Sequence, residues 1–314
     1  MGDLMHALPA LSEAKENIND ISFDWVVDKN FSSVPSWHPL VDKIITTDHR
    51  NWKKQFFSKD SRESIRHVIN KLNEGNYDLV VDMQNNLKSA FISYVIKHDV
   101  IGMDAKSARE FPAHLAYSNK INVDKRLHAI ERQKELLGKA LGYKCKKNNV
   151  NFGAIFQNFI KPNIKLANEY IVLVQNASWI TKQWSIKNWQ ELIKRIEEKG
   201  VPMLVPSGNL EELERAKEIC SISDIAQALD LMSLNEIAYI IKNANFSICS
   251  DTGLAHLSAL VGTPSITLYG PTKTSLIGTY GESQIHLVGE NKDINNIKVS
   301  EVISKLEQNS NLFV

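Results

Sequence analysis

The stretch Ser247–Leu260, SICSDTGLAHLSAL, puts an acid, a hydroxyl, a glycine and an imidazole at one junction. An apolar strand pattern over Phe246–Cys249 stops at Asp251. A helical pattern starts near Leu254 and leaves Thr252, Gly253 and His256 at the turn. In an α/β protein such a turn lies at the carboxyl end of the sheet, where ligands bind. Glycine lets a ligand approach the backbone, and the free amides of a helix N-terminus suit a phosphate. The same residue types also make an ordinary Asp/Thr helix cap. Taken alone, the turn leaves both readings open.

The elements that must hold this turn are legible as an alternation. FDWVVD, DKIITT, YDLVVDMQ and, more weakly, DVIGM read as strands in the first half, among the helical patterns MHALPALSEAKEN, SRESIRHVINKLNEG and AIERQKELLGKALG. The second half repeats the plan. Its strand candidates are YIVLVQNAS, VPMLVPSG, DIAQALD, FSICSD and SITLYGP, and its helices NWQELIKRIEEKG, NLEELERAKEIC and SLNEIAYIIKNA. Such alternation predicts parallel sheets covered by helices. A polar segment around residues 144–163, with Pro162 and little periodicity, marks the expected boundary. The predicted domains are 1–155 and 156–314, two Rossmann-like units whose strand ends face a central cleft, where ligands would sit.

Composition narrows the function. The 314 residues suffice for two ordinary domains, and a net charge of +1 argues against a protein built around nucleic-acid contacts. Cys145, Cys220 and Cys249 form no metal or redox spacing. Cys220 and Cys249 read as small core residues, which suits a reducing cytoplasm. No apolar run reaches the length of a membrane span, and the N-terminus lacks a signal-peptide pattern, so membrane contact is expected to be peripheral. The G-x-G-x-x-G fingerprint, the Walker lysine loop and the G-x-S-x-G elbow are all missing. Phosphate chemistry must therefore rest on other residues.

The segments MGDLMHALPAL, FDWVVD, PSWHPLVDKII, GMDAKSARE, KQWSIKNWQELI and SDTGLAHLSALVGTPSITLYGPT follow one another along the whole chain. In that order they resemble the lipopolysaccharide heptosyltransferases of glycosyltransferase family nine, which have the GT-B fold. D-T-G-x-x-H followed by Y-G-P-T is the most diagnostic part, and PSWH with GMD…ARE favours the type I branch. The resemblance implies transfer of heptose from ADP-heptose to Kdo of Kdo-lipid A, by a peripheral enzyme at the cytoplasmic face of the bacterial inner membrane. Inverting transfer needs a positioned base for the acceptor hydroxyl, and a cation and amides for the departing diphosphate. It also needs both sugars held in line.

Carried over residue by residue, the resemblance makes Asp3 the catalytic base, with Gly2 beside it; the plain alternative for Asp3 is a helix cap. Lys182 and Ser178 match donor-phosphate positions, though a lone loop lysine is usually just solvated. Glu212 matches the acid on the ribose hydroxyls, and as a first-turn acid it also suits the helix dipole. Met232 matches a residue at the adenine, with a core methionine as the alternative. Thr252 and Gly253 would meet the diphosphate, and Asp251 and His256 the heptose hydroxyls. In HRNWKKQFF, Arg50 and Lys53 match acceptor-side cations, as does Arg109 in SAREF. Lys54 belongs to the same basic run, whose plain reading is a solvated face over packed stems. Its aromatics Trp52, Phe56 and Phe57 suggest a membrane surface. No metal and no cofactor are expected, because one Asp and one His do not make a metal site.

The chain departs from the family pattern at three places. The family opens with a short strand and a serine-containing turn before M-G-D, whereas this chain starts at Met1 of that motif. The expectation is a first sheet without its first, central strand. Ala177, Ser178 and Trp179 stand where a Thr-Thr pair and an Arg are usual, removing one phosphate-binding hydroxyl. Asn85 stands where a glycine is common. Rival readings are a family-nine transferase with a later core acceptor or another donor, and a truncated, catalytically weak nucleotide-sugar binder. A GT-B-like epimerase fits less well, because its pattern would not open with M-G-D.

Overall fold

A computed structural model of the chain describes residues 1–55, 58–310 and 312; the side chain of Arg50 also lies outside the described part. The chain divides into two compact units, Asp3–Ile155 and Phe156–Val314.

The first unit runs α1 (Gly2–Asn17), β1 (Phe23–Asp28), α2 (Ser33–Ser36), β2 (Val41–Thr47), α3 (His49–Lys54) and α4 (Lys59–Glu74). It continues with β3 (Val80–Val81), α5 (Leu87–Val95), β4 (Val100–Met103), β5 (Asn119–Ile121) and α6 (Ala129–Leu141). Its strands pair in parallel as two separate sheets, β1–β2 and β3–β4–β5. Helices α1 and α6 span both groups. Ala10, Leu11, Ala14 and Leu137 pack with Phe23, Trp25 and Val41 on one side and with Val81 and Met83 on the other.

YDLVVDMQ yields a strand of only two residues, and Asp82 is the reason. Its Oδ1 accepts the amides of Gln84 and Asn85, each at 2.9 Å, so the chain turns where a longer strand was expected. Asn85 then takes φ +52. That left-handed conformation is open to glycine and, next best, to Asn. This explains an asparagine at a glycine position.

The second unit runs β6 (Ile171–Val174), α7 (Ile186–Glu197), β7 (Met203–Val205), α8 (Leu210–Cys220), β8 (Ala226–Ala228) and α9 (Leu234–Lys242). After these come β9 (Phe246–Ser250), α10 (Gly253–Val261), β10 (Ser265–Tyr269), α11 (Thr274–Ile277), β11 (Gln284–Val288) and α12 (Val299–Asn309). The six strands form one parallel sheet in the order β11-β10-β9-β6-β7-β8. The apolar run IVLV and the mixed run SITLY are buried at every position, as interior parallel strands are. Trp184, Trp189, Leu192 and Ile196 cover them, with Val302 and Leu306 of α12. Cys220 and Cys249 are free and buried, and burial pushes the Cys249 thiol up to about 12.

Strand order marks the candidate site. The chain leaves β6 toward β7 and β8, then returns to lay β9 on the opposite side of β6. The topological switch point therefore lies between the carboxyl ends of β6 and β9, where open α/β sheets bind ligands.

Candidate active site

Both loops at that switch point carry charge, and they meet. Beyond β6 the chain passes Asn176, Ala177 and the exposed Ser178 into a 3-10 turn, Ile180–Lys182. Lys182 Nζ lies 2.7 Å from Oδ2 of Asp251, the residue that follows β9. Asp251 is 7% exposed, and the Thr272 hydroxyl donates to its Oδ2. A carboxylate so shielded requires its partners. The two charges expected at separate parts of a donor are thus one ion pair, the lysine side chain still 24% exposed.

Thr252 occupies the N-cap of α10, but its side chain makes no capping hydrogen bond. The simple cap reading of this turn is therefore not what the hydroxyl does. Gly253 opens the helix, so the first amides of α10 lie at the turn that carries Asp251. His256 sits in the first turn of α10 and is partly exposed.

Glu212 is anchored at the neighbouring strand end. Asn209 caps α8 by accepting the Glu212 amide at 2.9 Å. The Glu212 carboxylate accepts the Gly208 amide at 2.8 Å and the Asn176 side-chain amide. It therefore bridges the loops after β7 and β6. Met232 lies in the loop between β8 and α9, partly exposed and outside the core, beside the Ser233 cap of α9. Ser178, Lys182, Glu212, Met232, Asp251, Thr252, Gly253 and His256 all follow the carboxyl ends of four adjacent strands, β8-β7-β6-β9.

Residues not singled out from the sequence hold this arrangement. Arg215 of α8 is half-buried, and burial lowers its pKa from the ordinary value. It donates to the Gln175 carbonyl at 3.2 Å, to the Gln175 side chain, and to the Trp184 carbonyl at 2.7 Å. It ties α8 to both ends of the loop that carries Lys182. Thr272 lay within the quoted Y-G-P-T motif, but its contact with Asp251 has no local signal.

In the first unit, Asp3 lies within the first turn of α1, whose N-cap is Met1. It caps nothing, and its carboxylate is ion-paired with Arg109. Arg109 is set by the β3 turn, because the Asn85 carbonyl accepts the amides of Arg109 and Glu110 at 3.1 and 3.3 Å. Asn85 is locked in turn, its side chain donating to the Asp82 carbonyl at 2.7 Å and accepting the Met103 amide. The Tyr117 hydroxyl donates to Asp82 Oδ2 at 2.8 Å.

Lys53 and Lys54 are exposed on α3, in the same helix as the Arg50 backbone; the Arg50 side chain is outside the described residues. Trp52 corrects an expectation. It is buried with Ile45, Val68, Leu72 and Ile92, and its indole N–H reaches Ser64 Oγ at 3.2 Å. It is a core residue, because α3 needs an apolar contact to dock on α4. Phe56 and Phe57 lie outside the described residues. Among the described residues no group of three or more His, Cys, Asp or Glu could hold a metal ion, and no helix is long and apolar enough to cross a membrane.

Residues 65–306 match the profile of glycosyltransferase family 9 (heptosyltransferase). The chain belongs to glycosyltransferase family 9. Lipopolysaccharide heptosyltransferase 1 of Escherichia coli K12 is 37% identical over 307 residues, 98% of this chain and 96% of that protein. Among solved structures, E. coli heptosyltransferase WaaC with ADP superposes with a TM-score of 0.91 at 35% identity, covering 98% of this chain and 97% of the other. The same E. coli enzyme with ADP-2-deoxy-2-fluoro heptose gives 0.88 at 35%, over 98% and 96%. The family-9 chain has the α/β GT-B fold, with all of its described sheets parallel.

Proposed function

We propose that this family-9 glycosyltransferase moves heptose from ADP-heptose onto Kdo of Kdo-lipid A, with inversion, in building the lipopolysaccharide inner core. The full-length similarity to lipopolysaccharide heptosyltransferase 1 and to a structure holding an ADP-heptose analogue supports this reading. The observation that carries it is the Lys182–Asp251 ion pair at the switch point, beside a helix start whose Thr252 hydroxyl caps nothing. A buried acid that holds a cation in reserve at a phosphate-suited turn fits a site that receives a diphosphate and a polyol together.

In the reaction the acceptor hydroxyl attacks the anomeric carbon, the bond from that carbon to the phosphate oxygen breaks, and ADP leaves with the electron pair. Asp3 takes the hydroxyl proton. Lys182 and the α10 amides at Thr252–Gly253 take the charge that develops on the diphosphate. Glu212 accepts from the ribose hydroxyls, because its carboxylate is already aimed by Gly208 and Asn176. Ser178 adds a phosphate contact, Met232 lies against the adenine, and Asp251 with His256 receives the heptose hydroxyls. Arg50, Lys53 and Arg109 meet the anionic acceptor. The acceptor is a lipid, so the enzyme works peripherally at the cytoplasmic face of the inner membrane.

The test is ADP release from ADP-heptose by the purified protein, with and without Kdo-lipid A, alongside UDP- and GDP-sugars. Release that depends on the acceptor, with the acceptor gaining the mass of a heptose, is expected. Tight ADP binding with no turnover would leave a nucleotide-sugar binder instead.

A further inference from the structure

Helix α5 has two apolar faces and needs only one for its core. Ile92, with Ile96 just beyond the helix, turns inward onto Trp52, Val68 and Leu72. Leu87, Phe91 and Tyr94, at spacings of four and three, share the opposite face and are exposed, Tyr94 at 77%. The 3-10 turn Ala113–Ala116 packs against α5, and its Leu115, with Phe111 just before the turn, adds two more exposed apolar side chains, at 70% and 79%. The Glu110 carboxylate accepts the Leu87 amide at 2.9 Å and pins this segment to the start of α5. Five large apolar side chains, on α5 and on the segment that packs against it, form an exposed patch of the kind that marks an interaction surface.

The charges around the patch are mostly positive. Residues 48–54, 87–99 and 104–116 together carry seven Lys and Arg against four acids, Asp48, Asp99, Asp104 and Glu110, in a chain whose totals are 37 and 36. Lys53, Lys54, Lys88, Lys97, Lys106 and Arg109 are exposed. Apolar side chains rimmed by cations match a membrane interface, where the rings and Leu side chains enter the acyl boundary and the cations meet anionic headgroups.

We infer that the exposed face of α5, with Phe111 and Leu115, docks the protein on an anionic lipid bilayer. This rests on the proposed function, since a lipid-borne acceptor is what such a surface would serve. It also moves the expected apolar contact from Trp52, which is core, to residues that the basic run does not contain.

The inference is tested with vesicles of phosphatidylglycerol and phosphatidylcholine that hold no acceptor, so that docking is read apart from catalysis. The parent protein should co-sediment with them, less at high salt, and far less with phosphatidylcholine alone. Phe111→Ser with Leu115→Ser should weaken docking at least about tenfold, with an unchanged melting temperature. Heptose transfer to a deacylated, soluble Kdo acceptor should stay the same. In a Leu115→Trp protein the new indole should shift to the blue on adding anionic vesicles. Equal docking of parent and double variant would overturn the inference, as would a parent that ignores anionic vesicles. A concentration-dependent dimer that the double variant abolishes would assign the patch to a second copy instead. Loss of docking with intact soluble transfer supports it. Docking without any transfer would sink the proposed function and leave this surface standing.

Discussion

The Lys182–Asp251 pair makes a quantitative prediction that runs against intuition. At 2.7 Å the gross attraction is roughly 6 kcal/mol at an effective dielectric of about 20. Desolvation of Asp251 and the partial exposure of Lys182 offset most of it, leaving a net coupling of about 1–2 kcal/mol. A double-mutant cycle of Lys182→Met and Asp251→Asn, read by urea unfolding without ligand, should return that coupling. If Lys182 leaves Asp251 for the diphosphate, binding ADP must break the pair. Asp251→Asn should then tighten ADP binding several-fold to about tenfold, since about 1.4 kcal/mol is a factor of ten. In the Lys182→Met background the same substitution should change ADP binding little. Calorimetry on the four proteins measures this directly. Transfer by Asp251→Asn should nonetheless fall, because under the proposed function the heptose loses an acceptor for its hydroxyls. If Asp251→Asn weakens ADP binding equally in both backgrounds, the lysine does not exchange partners and the reasoning fails.

Three further outcomes follow from individual contacts. Glu212→Gln keeps the bulk near Asn176 but loses the charged acceptor, and should weaken ADP by about 1–3 kcal/mol in calorimetry without acceptor; unchanged affinity would remove Glu212 from the ribose. Asn85→Gly keeps the left-handed turn yet leaves the Met103 amide unpaired, costing about 1–3 kcal/mol. Asn85→Ala should cost about 1–2 kcal/mol more for its φ, and denaturant midpoints that rank alanine level with glycine would contradict that account. His38 is buried, with Ser12 Oγ 3.0 Å from its Nε2, and burial lowers its pKa from 6.5 to about 4. The unfolded chain takes up this proton first, so the neutral ring contributes up to about 3 kcal/mol above pH 6.5. That contribution is lost as pH falls from 6.5 toward 4. His38→Gln should flatten this part of the stability profile, and an equally steep loss in the variant would refute it.

The sequence shows the second unit far better than the first, for a physical reason. A central parallel strand such as IVLV is apolar on both faces, so it stands out. The Asn119–Ile121 strand is mostly polar, at the end of its sheet, and leaves no such run. Helix α5 hides because Leu87, Phe91 and Tyr94 add an outward apolar stripe that blurs its period. Asp82 shortens β3 by a side-chain turn that no hydropathy pattern records. Within the candidate site, residue types at strand ends are legible but pairings are not. Lys182 meets Asp251 from 69 positions away, and Arg109 meets Asp3 from 106. Those contacts exist only once strand order is set, and a chain of apolar runs does not specify which strand ends become neighbours.

The most direct test of the proposed chemistry is the rate of ADP release from ADP-heptose in the presence of Kdo-lipid A, compared between the parent and Asp3→Asn. Asparagine keeps the shape at the start of α1 but cannot take the acceptor proton. Turnover should fall by roughly two orders of magnitude or more, while ADP-heptose affinity by calorimetry changes little, because the residues proposed to hold the donor lie in the second unit. Near-parental turnover by Asp3→Asn would contradict the account and take the base away from Asp3.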